Sequence, residues 1–419
     1  MAMELMELME RQDVAAGESV DAEAVRECDR AFVMGTYARL PVVFVRGEGA
    51  RLWDSDGREY LDFLAGIAVA GVGHCHPRVA AAISDQARTL MHVSNLFHNA
   101  HQARLAQRLC GLAGMEKAFF CNSGTEAIEA ALKIARKWGR QRRGDHCFEV
   151  ISFSGSFHGR TMGALSATAQ PKYQAPFSPL VPGFDYAPFG DLAALRALIT
   201  EQTCAVIVEP IQGESGIHMV DAAFLRGVRA LCDEAGVLLI ADEIQCGLGR
   251  TGTFLASQGL GVSADIVTLA KGVADGFPMG CCLARGSAAE TLVPGDHGST
   301  FGGQPLACAA ALATLDVMEE EGLYANAARV GAHFMAQLKA LGARRPGTIT
   351  DVRGRGLMVG VDLAEPNAKA VNRALFDQGV VANATGDRTL RFVPPLTVTA
   401  ADCDRVVSAL EAALALPMA

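Results

Sequence analysis

Aromatic residues are scarce in this chain: they make up 6% of its 419 residues, with two tryptophans, although half of the chain is hydrophobic. The apolar load therefore falls mainly on Ala, Val, Leu and Ile, the residues of packed helices and buried strands, which favours an α/β enzyme over a disordered or fibrous chain. Basic residues are in deficit. A formal charge of −9 argues against a protein that coats nucleic acid or an anionic membrane, since either needs a surplus of Lys and Arg on one face. Small molecules are the expected partners, with no nucleic acid and no membrane. No apolar run approaches the length needed to span a bilayer. Met1 to Val14 alternates Glu with Met and Leu, without the basic-then-apolar order of an export signal, and the expected location is the cytoplasm. Paired cysteines are missing too. Twelve are scattered, from Cys28, Cys75, Cys110 and Cys121 onward, without C-x-x-C spacing, and they read as buried thiols in a reducing compartment. His74, Cys75 and His76 are adjacent, but neighbouring side chains rarely converge on one ion without further ligands, so no metal site is expected.

The length exceeds that at which a single core stops growing, so a large domain with a smaller companion is expected. Val42 to Glu48 and Ala50 to Phe63 read as short strands, the second holding an Asp56-Gly57 hairpin turn. From Lys117 the pattern alternates strand and helix: Lys117 to Cys121, Thr125 to Trp138, Glu149 to Phe153, Ala205 to Ile211, Asp221 to Ala235, Val237 to Ile244, Asp265 to Ala270 and Met279 to Ala284. Such alternation predicts a mostly parallel sheet covered on both faces. After Gly303 come a long Ala-rich helix ending near Glu321, a second helix, Val352 to Leu363, Lys369 to Gln378, Leu390 to Val393 and a last helix from Ala400. The resulting division is an arm and part of a small domain at 1–75, a large domain at 76–303, and the rest of the small α+β domain at 304–419.

Three strand ends carry chemistry. Asn122-Ser123-Gly124-Thr125-Glu126 follows a strand and opens a helix, presenting free N–H groups and a helix dipole to one point. That point suits a phosphate, while an ordinary N-cap is the plainer alternative. Val237 to Gln245 is a buried run ending in Asp242 and Glu243, where a carboxylate must meet a cation or donors; a metal, a cap, a salt bridge and a protonated ring nitrogen all remain open. Asp265 to Gly272 ends in Lys271, which either reaches solvent or, beside an acid and a phosphate cradle, stands where a Schiff base forms.

Taken together, Asn122 to Glu126, Ser156-Phe157-His158-Gly159-Arg160-Thr161, Glu209-Pro-Ile-Gln-Gly-Glu214, Asp242-Glu243-Ile244-Gln245, Leu269-Ala270-Lys271 and His297-Gly-Ser299-Thr300-Phe-Gly-Gly resemble the class III aminotransferases of fold type I. The likeness runs in order from about Phe32 to Leu414. Met34 to Arg39, Gly66 to Ala70, His92 to Leu96, Val352 to Met358 and Leu390 to Phe392 resemble the branch that transaminates N2-acetylornithine with 2-oxoglutarate. Ornithine, succinylornithine and 4-aminobutyrate transaminases share the catalytic core.

The resemblance implies pyridoxal 5'-phosphate held covalently by Lys271, which then acts as general base. It implies that Asp242 keeps the pyridine nitrogen protonated and Gln245 bonds the phenolic oxygen, with Phe157 on one ring face and Ile244 on the other. Glu243 is counted among the cofactor contacts. Ser123, Gly124 and Thr125 would take the phosphate, aided by Thr300 from the second subunit of a homodimer with shared active sites. For substrate, Arg160 is the expected carboxylate anchor, Ser299 an added hydrogen bond, and Glu214 with Arg391 a gate between two substrates.

Departures from the family pattern are Ile128 for a more usual Asn, Ala274-Asp275 for Gly-Gly, and Gln304 for Asn. An aminomutase or epimerase shares the lysine and aspartate, but the gate pair favours a two-substrate transaminase; a non-catalytic relative and a metal hydrolase are the rivals from other classes.

Overall fold

Every residue of Thr203–Val208 and Leu238–Asp242 is buried. Strands without a solvent face need cover on both sides, which flanking helices supply. A computed structural model, describing residues 20–416, puts these two strands inside a seven-stranded sheet. In spatial order it runs Lys117–Cys121, Gly280–Ala284, Ile266–Leu269, Leu238–Asp242, Thr203–Val208, Glu149–Phe153 and Phe184–Ala187. Gly280–Ala284 is antiparallel to both its neighbours. The other pairings are parallel, so the α/β expectation of a mostly parallel sheet is met. Six strands thus bring their carboxyl ends to one rim, the place where open α/β sheets bind ligands.

The helix expected at Thr125 to Trp138 is longer, Gly124–Arg143. Ile128 lies on its buried face and joins an apolar cluster with Ile240, Ile266 and Cys282, where an Asn would need hydrogen-bond partners. Gln304 precedes the helix Pro305–Glu320 and makes no side-chain capping bond. Two helices that the strand-and-helix pattern did not anticipate, Pro77–Thr89 and Ala100–Ala113, pack against Pro305–Glu320.

Nearer the N-terminus, Phe44–Glu48, Arg51–Asp54 and Glu59–Asp62 form an antiparallel set. The Asp56-Gly57 turn is present: the Asp54 carboxylate accepts from the N–H of Asp56 (3.0 Å) and of Arg58 (2.9 Å). Val380–Val381 adds to this sheet, parallel to Glu59–Asp62. The stretch Val352 to Leu363, read as one element, divides into antiparallel strands Ile349–Arg355 and Met358–Leu363. Gly356 takes φ +58° at the reversal, a conformation costly for other residues. Thr389–Phe392 pairs with Met358–Leu363 and carries Arg391.

Ten of the twelve cysteines are buried, Cys28 is intermediate and Cys75 exposed; all are free. His74 and His76 point to different acids, Nε2 of His74 lying 2.7 Å from Asp62 and Nε2 of His76 3.1 Å from Glu321. No helix among the described residues is long and apolar enough to cross a membrane. The Met1 to Val14 stretch lies outside the described residues.

Candidate active site

At the rim of carboxyl ends opens a cavity of about 390 Å³, lined among others by Gly124, Phe157, Asp242, Gln245 and Lys271. Parallel strand order alone explains the convergence. Residues distant in sequence follow neighbouring strands and so reach one place.

Asp242 closes its strand and is 3% exposed. A carboxylate there needs donors. Its Oδ2 accepts from His158 Nδ1 at 2.7 Å, and its Oδ1 from the Ile244 N–H at 3.1 Å and the Thr268 hydroxyl at 3.3 Å. His158 Nε2 is buried and has no partner among the described residues. His158 belongs to the Ser156 to Thr161 motif, which by itself gives it no role. Nothing in its local spacing marks it, because its partner lies 84 residues away.

Lys271 stands two residues past its strand with φ +43°. Burial lowers its ammonium below the usual lysine range, against the pull of the Glu214 and Asp242 carboxylates. Glu209, also unassigned from sequence, lines the same cavity, and its Oε2 accepts from the Phe157 N–H at 3.0 Å. Burial, with Asp242 nearby, raises its carboxyl well above the usual range.

Glu214 and Arg391 are in contact. The Arg391 side chain is 1% exposed and donates to Glu214 Oε1 at 2.6 Å, to the Gly213 carbonyl at 3.2 Å, to Gln245 Oε1 at 3.2 Å and to Asn383 Oδ1 at 3.1 Å. Gln245 Nε2 donates in turn to Glu214 Oε1 at 2.9 Å. Burial opposes the Glu214 charge, and Arg391 overcomes it, so the carboxyl titrates below its usual range.

At the helix start, the Ser123 hydroxyl accepts from the Glu126 N–H at 3.3 Å, so the capping alternative describes its side chain. Gly124 is needed for close approach: a Cβ there would stand 3.0 Å from the Ile244 side chain. The Thr125 hydroxyl is 2.8 Å from that of Thr161 and accepts from the Arg160 and Thr161 N–H groups at 3.2 Å. The first-turn N–H groups have no carbonyl within the helix to bond. Arg160 lines the cavity and is exposed.

Other expected residues fall elsewhere. Glu243 is turned away from the cavity and caps a short helix, accepting from the N–H of Ala256 (2.9 Å) and Ser257 (2.7 Å). Successive side chains on a strand end point oppositely, so only one of the two acids can face the rim. Ser299 accepts from Asn122 Nδ2 at 3.2 Å, just behind the lining. Thr300 is exposed and borders a separate small hollow with His92 and Asn95. Asp275 does not line the cavity; its Oδ1 accepts from the Val72 N–H at 2.9 Å.

These groups fit pyridoxal phosphate. A helix start with first-turn N–H groups beyond the one that Ser123 caps suits its phosphate, a buried carboxylate suits a protonated pyridine nitrogen, and a lysine of lowered pKa suits its aldehyde.

The profile of the family Aminotransferase class-III matches residues 33–414. The chain belongs to the class-III aminotransferases and is a pyridoxal-phosphate-dependent aminotransferase acting on small molecules. Among its relatives, the acetylornithine aminotransferase of Methanocaldococcus jannaschii is 46% identical, covering 92% of this chain and 96% of the relative. That of Nitrosomonas europaea is 48% identical, covering 91% and 96%. Two solved structures share the fold: the ornithine aminotransferase from Toxoplasma gondii (TM-score 0.90, 37% identity, covering 94% and 95%) and the acetylornithine aminotransferase from Elizabethkingia anophelis (0.84, 33%, covering 94% and 98%).

Proposed function

We propose that this enzyme transaminates N2-acetylornithine with 2-oxoglutarate, giving N-acetylglutamate 5-semialdehyde and glutamate, a step of arginine biosynthesis. The observation that carries it is the pairing of the buried Arg391 with Glu214, 2.6 Å apart, with Glu214 on the wall of the same cavity as Lys271 and Asp242. A two-substrate enzyme needs a cation that can be hidden from one substrate and offered to the other.

When bound, pyridoxal 5'-phosphate supplies the electron sink that lets a proton leave the amine-bearing carbon. Lys271 holds it covalently and, once free, its amine takes that proton and returns it. Desolvation favours the neutral amine that this work requires. Asp242, fixed by His158 and Thr268, would hold a proton on the ring nitrogen. Phe157 and Ile244 would flank the ring, Gln245 would bond its phenolic oxygen, and Ser123, Gly124 and Thr125 would hold the phosphate. Arg160 anchors the carboxylate that both substrates present, with Ser299 adding a hydrogen bond. Glu214 neutralises Arg391 while the acetylated donor is bound and yields to glutamate's carboxylate.

Residues 76–303 form the cofactor domain in this reading, with 1–75 and 304–419 contributing the smaller one. We read the enzyme as a cytoplasmic homodimer in which the partner subunit's Thr300 completes the phosphate site. Support comes from exposed apolar side chains around Thr300: Met91 (57%), Leu96 (85%), Phe97 (65%) and Phe301 (57%), more than a solitary subunit ordinarily shows to water. Buried free thiols fit a reducing compartment. A panel of amino donors with 2-oxoglutarate, scored by glutamate formed, tests the substrate. N2-acetylornithine should lead in kcat/KM by about tenfold or more, a margin of about 1.4 kcal/mol. Ornithine, succinylornithine or 4-aminobutyrate in first place overturns the assignment.

A further inference from the structure

Arg160 differs from most arginines of this molecule in what holds it. Arg391 is held by Glu214, Arg353 by Asp362 and Arg108 by Asp316. Among the described residues no carboxylate lies in ion-pair range of Arg160. Its guanidinium carbon instead sits 4.0 Å from the centre of the Tyr173 ring and 5.5 Å from that of Phe157. The two rings meet edge to face, centroids 6.0 Å apart at 81°. Lys172 places its ammonium 4.7 Å from the Tyr173 ring as well, adding positive charge beside the cavity mouth.

The means of restraint decides what the cation can do next. A carboxylate partner would occupy N–H donors and cancel the charge that an incoming anion needs. An aromatic face attracts a guanidinium through its quadrupole and leaves the five N–H donors pointing outward in the plane. It also limits the rotamers of a long exposed side chain, whose ordering would otherwise be a cost of binding. Tyr173 is itself well anchored. Its N–H bonds the Gln170 carbonyl at 3.0 Å, and Gln170 Nε2 donates to the carbonyls of Gly155 and Ser156 at 3.2 and 3.0 Å, next to Phe157. Gln174 Nε2, at the end of the same short helix, donates to Leu165 and Tyr186.

We propose that Tyr173 is a positioning residue for substrate specificity: its ring holds Arg160 at the cavity mouth with its donors free for a substrate carboxylate. The proposal rests on the reading of Arg160 as the carboxylate anchor. Through Phe157, Tyr173 also ties that anchor to the wall of the cofactor cavity.

The test measures steady-state kinetics with N2-acetylornithine and 2-oxoglutarate, together with calorimetric binding of glutarate to the holoenzyme, for Tyr173→Leu, Tyr173→Phe and Arg160→Gln. Loss of one cation–π contact predicts that Tyr173→Leu raises KM and the glutarate Kd about 3- to 10-fold while kcat stays within about 2-fold. Tyr173→Phe keeps the ring face and should restore all three constants to within about 2-fold of the parent. A general packing role would lower kcat and thermal stability and would leave the glutarate Kd alone; that result overturns the proposal. If Arg160→Gln weakens carboxylate binding and Tyr173→Leu does not, Tyr173 falls and the anchor stands. If Arg160→Gln leaves both KM and Kd unchanged, anchor and proposal fall together. Should Tyr173→Leu not fold, Tyr173→Phe and Tyr173→Trp decide: both must bind glutarate like the parent, and a 3-fold or larger loss in either rejects the ring-face argument.

Discussion

The two ends of the cavity are held by different physics. At the floor, Asp242 is fixed by a buried histidine, a buried hydroxyl and a backbone N–H. At the gate, Glu214 is held by Arg391 and Gln245, and its side chain is 23% exposed while that of Arg391 is 1% exposed. One member of the gate pair can therefore leave into water; the other cannot. A buried guanidinium that loses its carboxylate must find another anion, and an arriving substrate carboxylate is one. The lesson is that a rigid polar floor suits a cofactor that stays through both half-reactions, and an ion pair with one partly exposed member suits substrates that alternate.

The sharpest break in the comparison comes from the floor. In the proposed mechanism Lys271→Ala removes both the covalent tether and the proton carrier, and glutamate formation should fall by roughly 10³-fold or more. Borohydride reduction followed by peptide mapping should find the cofactor on Lys271, and a label on another lysine would sink the assignment. Asp242→Ala should still bind cofactor, yet lose on the order of 10²-fold in kcat, because the ring nitrogen loses its charge-assisted partner. Near-parental turnover in that variant would return Asp242 to a structural role.

A third change lies outside both ends. Burial raises the Asp275 carboxyl to about 6, so the folded state favours its protonated form. Such a group makes stability fall as pH rises through that range, and the loss is complete above it. Asp275→Asn should stabilise the protein by on the order of 2 kcal/mol at pH 7.5 and by almost nothing at pH 4, read from thermal melts at both values. A gain equal at both pH values would mean that ionisation of Asp275 is irrelevant. The smallest effect belongs to the gate. Glu214→Ala frees Arg391, and single-turnover rates should move by about tenfold in favour of the glutamate half-reaction over the donor half-reaction. An equal change in both halves would reduce the pair to a structural ion pair.

Much of this arrangement was legible in the sequence, for reasons that differ by residue. Asp242 and Lys271 end apolar runs, and in a parallel sheet strand ends share a rim; the pattern therefore locates both without any contact being known. Glu214 and Arg391 came from resemblance, since 177 residues separate them and no periodicity links them. His158 and Glu209 were in view as letters of motifs, but their importance comes from burial against Asp242 and Phe157, which only the folded chain displays. Glu243 misled because sequence adjacency to Asp242 says nothing about which face a side chain takes. Likewise the reversal at Gly356 hides inside a stretch whose apolar residues continue on both sides.

The pairing of Val380–Val381 with Glu59–Asp62 has a consequence for how the molecule is made. The Leu61 N–H bonds the Gly379 carbonyl at 2.8 Å, so an early-synthesised strand waits for a partner more than three hundred positions downstream. Contacts of such sequence separation form late, after the loop between them has been closed. The central sheet, whose strands all fall between Lys117 and Ala284, can assemble while the tail is still on the ribosome. Arg391 lies ten residues beyond Val381 on a strand that needs Met358–Leu363 beside it. A nascent chain therefore owns Lys271 and Asp242 long before it owns Arg391, and the proposed gate is the last part of the site that synthesis completes.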